Sequence, residues 1–156
     1  MARNAGEAFR WIVGILRKQK IPFQVTGGLA ARIYGSKRAL ADIDIAVPDR
    51  FIPKILPHVK KHFVSGPRRY RGKSFNVLLL TLKHSGQRIE ISGCETEKLF
   101  WRKKRKWIGG NTNLSKAVQK KVYNLVVPTV RKRDLIEYKN KIAREVDKLD
   151  NSHMKK

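Results

Sequence analysis

The sequence predicts an α+β fold, a mixed β-sheet with helices packed against it and a helix at the C-terminal end. Three observations carry that expectation. Short runs of alternating aliphatic and polar residues, bounded by glycine or proline, occur around 42–47 and 75–92. Apolar residues recur every three or four positions near both ends, at 9–16 and 135–149. The chain has 156 residues and 41% hydrophobic content, enough for one buried core. One domain is expected over 1–150, with 151–156 as a disordered polar tail.

Charge narrows the partners. Lys and Arg total 36 against 12 acids, a net +24 that would repel itself without an anionic partner. Nucleic acid is the first candidate. An acidic membrane surface is the other, but no apolar run approaches the roughly 18 residues of a span. The short Trp11–Leu16 run has no cleavage site after it, so a cytoplasmic protein without a membrane partner is expected. Cys94 is the single cysteine, which excludes an internal disulfide and any multi-cysteine zinc site.

Taken in order, Ala5–Lys18 reads as a helix burying Phe9, Ile12, Val13 and Leu16. Pro22 opens a strand to Thr26, Gly27-Gly28 follows, and Leu29–Tyr34 makes a short helix. Asp42 and Asp44 then alternate with Ile43, Ile45 and Val47, so a strand puts both acids on one face and the aliphatics on the other. Pro48 ends it. Asp49 caps a helix through Ile55–His62, with Pro53 and Pro57 near its start. His58 and His62 lie one turn apart there, but Val59 stands where a zinc protease carries glutamate. Arg68–Lys73 is basic and glycine-broken. Phe75–Leu82, a turn at 84–87 and Arg88–Ser92 read as a hairpin whose second arm holds Glu90 between Ile89 and Ile91. Phe100–Trp107 sets five consecutive cations between aromatics and is expected as loop or irregular helix. After a turn at 109–113, Val118–Val127 is expected as one strand closed by Pro128. Thr129 then caps a final helix with Leu135, Tyr138, Ile142, Val146 and Leu149 on one stripe.

The chemistry follows from the acids. A strand places Asp42 and Asp44 roughly 6.6 Å apart, where they repel by about 2.5 kcal/mol at an effective dielectric near 20. A divalent cation removes that penalty. Gly27 and Gly28 lie at a helix start, where backbone amides can seat a phosphate, and Glu90 is a candidate third acid on a neighbouring strand. Together these meet the needs of nucleotidyl transfer, in which two hard cations clamp the attacking and leaving oxygens. Arg68, Arg69, Arg71 and Lys73, with Trp101, Arg102, Lys103, Lys104, Arg105, Lys106 and Trp107, suit nucleic acid, the cations neutralising phosphate and the aromatics stacking on bases.

At Gly27-Gly28 and Asp42-Ile43-Asp44 the sequence resembles the DNA polymerase beta-type nucleotidyltransferase superfamily. Gly27–Ala30, Tyr34-Gly35, Arg38, Asp42–Ile45 and the block Leu135–Asp147 are similar to its small stand-alone branch related to abortive-infection toxins. The resemblance implies a nucleotidyltransferase fold and a nucleoside triphosphate donor. It also implies two Mg2+ or Mn2+ ions on Asp42, Asp44 and Glu90, which are then the catalytic residues. Gly27, Gly28, Ser36, Arg38 and Lys139 become the nucleotide-binding residues, Lys139 facing the phosphates. Leu40 departs from the branch, which carries threonine or serine two residues before the first acid, and Glu90 replaces the commoner aspartate. The implied acceptor is RNA or tRNA, and a protein antitoxin or helical partner is a possible regulator. The alternative is a catalytically silent fold kept as an RNA-binding or assembly module, which would be indifferent to loss of Asp42 and Asp44.

Overall fold

A computed structural model describes residues 3–155. Helix α1, Ala5–Lys18, starts where the Asn4 Oδ1 accepts the Glu7 amide at 2.9 Å, and it buries Phe9, Ile12, Val13 and Leu16 as its period requires. Strand β1 (Gln24–Thr26), helix α2 (Gly27–Ile33) and strand β2 (Asp42–Val47) follow, with Ile43, Ile45 and Val47 fully buried.

From Asp49 to His62 the expected helix is reduced to α3, Ile52–Ile55, with one 3-10 turn before it and two after. Pro53 and Pro57 each lack the N–H that a continuing helix needs. Strand β3, Phe63–Arg71, takes in most of the basic segment and pairs with β4, Phe75–His84. It is an edge strand, which accommodates Pro67, and its register shifts twice around Gly66. Strand β5, Gln87–Gly93, completes the expected hairpin with β4.

Two expectations fail for the same reason. Phe100–Trp107 is part of a hairpin of β6 (Lys98–Trp101) and β7 (Lys106–Gly109), and its cations lie mostly in the connecting turn. The Phe100 and Trp107 rings oppose each other across it, 5.5 Å apart. Val118–Val127 is likewise two strands, β8 (Val118–Val122) and β9 (Leu125–Thr129). Tyr123 and Asn124 turn between them with φ of 46° and 69°, the double positive φ of a two-residue hairpin. Charged side chains mask alternation in both segments. Pro128 sits within β9, and the final helix begins at Lys132 rather than just after Thr129.

That final helix is also two, α4 (Lys132–Ile142) and α5 (Glu145–Met154), broken at Ala143 in the left-handed conformation. Asp147 captures the Arg144 amide at 3.0 Å and starts the second. The expected tail is shortened accordingly, because Asn151 and Met154 are buried in α5 and the Asn151 Nδ2 donates to Asn140 at 2.8 Å.

All strands join one sheet in the order β7-β6-β4-β5-β2-β1-β9-β8, with β3 on the other edge of β4. The β2–β5 and β1–β9 pairs are parallel and the rest antiparallel, the mixed sheet expected. Helix α1 packs on β4 and β5, while α2 contacts β1, β2, α4 and α5. The last contacts bring the C-terminal helices to the acidic strand. No helix among the described residues is long and apolar enough to cross a membrane.

Candidate active site

The glycine turn and the acids meet because three adjacent strands share one register. Thr26 of β1 stands opposite Asp44 of β2, and Asp44 opposite Glu90 of β5. Asp42 lies two residues before Asp44 on the same face, opposite Arg88. Gly27 adopts φ +60°, and a β-carbon there would overlap the Asp44 carboxylate. The following amide, Gly28 N–H, donates to Asp44 Oδ2 at 3.3 Å. These residues line a cleft of ≈ 760 Å³ together with Arg38, Lys139 and Arg144.

The electrostatics are those of crowded acids. Burial, then the charges of Glu90 and Asp42, push the Asp44 carboxyl up to about 7 against the donation from Gly28. Burial and Asp42 raise Glu90 as well, partly offset by Arg88. Arg88 spans the outer pair, with Nε 3.5 Å from Asp42 Oδ1 and a terminal nitrogen 3.4 Å from Glu90 Oε1. In kind, an all-oxygen set whose inner carboxylate, Asp44, makes no ion pair among the described residues fits a hard divalent ion. In position, among the described residues, no three His, Cys, Asp or Glu side chains converge closely enough to form a ready cage. Arg88 supplies the present countercharge.

The other expected nucleotide residues are tied to acids of α5, Arg38 and Lys139 doing so while still lining the cleft. Arg38 binds Asp150 through two parallel hydrogen bonds, Nε to Oδ1 at 3.0 Å and a terminal nitrogen to Oδ2 at 2.9 Å. Ser36 Oγ donates to the same carboxylate at 2.6 Å. Lys139 lies 3.0 Å from Asp147 and 3.1 Å from Asp150 and is only 2% exposed, so its ammonium is enclosed rather than turned outward. Arg38 still borders the glycine turn, 3.3 Å from where a Gly28 β-carbon would be.

Of the expected nucleic-acid residues, Arg68 lines the cleft, Arg69 bonds Thr96 Oγ1 at 2.7 Å, Arg71 is exposed at the end of β3, and Lys73 lies in the turn before β4. The β6–β7 hairpin carries the rest, Arg102–Arg105 in its turn and Lys106 opening β7. Lys104, Lys106 and Lys141 lie over the Trp101 ring, 4.8, 5.9 and 5.1 Å from its centre, and Trp107 is 44% exposed.

Asp150 and Glu97 had no role in the sequence reading, and Asp147 entered it only as the end of the Leu135–Asp147 block. Asp147 and Asp150 are spaced one helical turn apart, a signal that could have suggested a shared face. Glu97 has no such signal. It accepts from the Tyr138 hydroxyl at 3.2 Å in the cleft wall.

Solved structures of similar shape were found at low sequence identity. A candidate nucleotidyltransferase from Thermotoga maritima matches with a TM-score of 0.72 and 19% identity, over 94% of this chain and 88% of that one. The lincomycin-bound lincosamide antibiotic adenylyltransferase LnuA matches at 0.64 and 13%, over 99% and 98%. The antibiotic-resistance factor ANT(2″)-Ia in solution matches at 0.63 and 12%, over 96% and 80%. No protein-family model and no curated protein matches the chain. The fold is that of the nucleotidyltransferases, as expected.

Proposed function

We propose that this nucleotidyltransferase-fold chain transfers a nucleoside monophosphate from a nucleoside triphosphate to a hydroxyl of RNA. One observation carries the reading. Asp44 is half-buried against the glycine turn, faces Glu90 across the sheet and makes no ion pair among the described residues, in a chain with three cations for every acid. In a protein so basic, an acid left unpaired in a cleft is explained by a cationic ligand.

Asp42, Asp44 and Glu90 would hold two Mg2+ or Mn2+ ions, which when bound neutralise phosphate oxygens and orient an in-line displacement. The chain's own contribution is positional. The left-handed Gly27 and the bare Gly28 let a triphosphate approach the backbone. Arg38, braced by Asp150, sets a fixed positive charge beside that turn.

The acceptor reading is supported by the +24 charge and by the exposed cations of β3 and the β6–β7 turn. LnuA and ANT(2″)-Ia are antibiotic-modifying or resistance proteins by name. Cationic small acceptors would be repelled by this chain's net charge. We place it in the branch related to abortive-infection toxins on the Gly27–Ala30, Asp42–Ile45 and Leu135–Asp147 segments, and a silencing protein partner belongs to the same proposal.

Incubation with Mg2+, labelled triphosphates and total RNA tests it. Label enters RNA with wild type and not with Asp42→Ala. Absence of transfer from all four nucleotides by wild type, equal to the variant, overturns the enzyme reading.

A further inference from the structure

Glu97 is a cleft carboxyl that the transfer reaction above does not use. The other acids of that cleft are provided for: Asp42 and Glu90 share Arg88, Asp134 pairs with Arg131, and Glu137 pairs with Lys141. Among the described residues, only Asp44 and Glu97 line the cleft without an ion pair. Asp44 has the cation of the proposed reaction. Burial, and to a lesser degree the charge of Asp49, push Glu97 up to about 7, against the hydrogen bond from Tyr138.

Its surroundings are flat and apolar. The Tyr138 hydroxyl donates to Oε1 at 3.2 Å, and Oε2 meets no donor among the described residues. The Phe75 ring lies 6.1 Å from that of Tyr138 and nearly parallel to it, at 21°. The Arg144 guanidinium covers Phe75 at 4.9 Å, and Leu99 and Ile108 come from the adjoining hairpin. Gly110 keeps the floor clear, since a β-carbon there would stand 3.1 Å from the carboxylate.

Above about pH 7, where Glu97 is ionised, a planar ligand with two adjacent N–H donors completes this arrangement, because an ionised carboxylate only accepts. Adenine and cytosine each set a donor beside an acceptor on the Watson–Crick edge, and the acceptor would face a carboxylate oxygen. Guanine presents N1–H and N2–H side by side. We propose that Glu97, with Tyr138 and Phe75, forms a nucleobase subsite that selects guanine. The proposal rests on the nucleotidyl-transfer reading, and the guanine can belong to the triphosphate donor or to the end of the RNA acceptor.

Calorimetric titration of the full chain in Mg2+ at about pH 8.5, where Glu97 is ionised, with GMP, AMP, GTP and ATP reads the subsite without turnover. Guanine ligands bind roughly ten- to a hundred-fold more tightly than adenine ligands, the worth of one bidentate base contact. Glu97→Gln keeps the size and the Tyr138 bond but replaces one acceptor by a donor, and it erases the preference. Glu97→Asp keeps the charge and withdraws it by one methylene, giving a reduced preference, so a folding failure of the first variant leaves a reading. Equal binding of the two bases by wild type, or a preference that survives Glu97→Gln, overturns the proposal. Transfer assays crossing GTP and ATP donors with RNAs ending in guanosine or adenosine show which source supplies the base. Guanine-selective binding lost in Glu97→Gln, without label transfer by wild type, sinks the transferase reading alone. Transfer without base preference sinks the subsite alone.

Discussion

The Lys139 ammonium lies 3.0 Å from the Asp147 carboxylate with both side chains sealed from water, 2% and 0% exposed. Asp150, at 3.1 Å and equally buried, joins them and reaches outward to Arg38. One buried cation therefore ties α4 to α5 and, through Asp150, to the loop before the acidic strand. Lys139 and Arg38 also line the cleft, so this buried centre forms part of its wall.

Removing that cation takes one partner from each of two buried acids, leaving Asp147 to Arg144 and Asp150 to Arg38 and Ser36. Lys139→Met is expected to lower stability by about 3–5 kcal/mol, the cost of breaking a buried pair from one side. Denaturant midpoints measure it. A double-mutant cycle of Lys139→Met with Asp147→Asn gives a measurable coupling energy, whereas a lysine whose role is only to meet phosphate gives none.

Acid should loosen the same centre. Burial alone would raise the Asp150 carboxyl, but hydrogen bonds from Arg38, Ser36 and Lys139 more than offset it and hold it at about 2, against an ordinary 3.8. The folded value is depressed, so the contribution is present above pH 3.8 and is lost as pH falls through about 2. Thermal melting in that window reports it. In Asp150→Asn the fall over the same window is shallower.

Gly27 should tolerate no side chain. Gly27→Ala places a β-carbon in the left-handed region, at about 1–2 kcal/mol, and against Asp44. The expected result is a lowered melting temperature and loss of transfer. Gly14→Ala, on the open side of α1 where a β-carbon meets nothing within 4 Å, serves as the control and is neutral or slightly stabilising.

RNA binding should be steep in salt. Each phosphate neutralised on single-stranded RNA contributes about 0.7 to the slope of log affinity against log salt. Replacing Lys103, Lys104 and Arg105 in the exposed β6–β7 turn by alanine is expected to lower that slope by roughly two units. An unchanged slope in filter-binding titrations places the RNA elsewhere.

Parts of the fold were legible because they are local. The α1 stripe, the break at Gly27-Gly28 and the buried Ile43, Ile45 and Val47 face each follow from a period or a backbone preference that a few residues express alone. The β6–β7 and β8–β9 hairpins were not legible, because Arg102–Arg105 and Lys120-Lys121 hide the alternation that Phe100, Trp107, Val122 and Val127 would otherwise show. The α4–α5 break escaped notice because the apolar stripe continues across it, while the cause is a side chain, Asp147, reaching back to the Arg144 amide.

By itself the sequence determined the glycine turn, the paired acids on one strand face and the surplus of positive charge, since each is written in adjacent residues or in composition. Tertiary structure alone decided which charges meet. With 36 cations available to 12 acids, pairing is degenerate until the backbone brings particular partners together. Arg38 reaches Asp150 across 112 positions, and Tyr138 reaches Glu97 across 41. Burial then selects among those meetings, enclosing Lys139 with two carboxylates and leaving Asp44 and Glu97 in the cleft wall without an ion pair among the described residues.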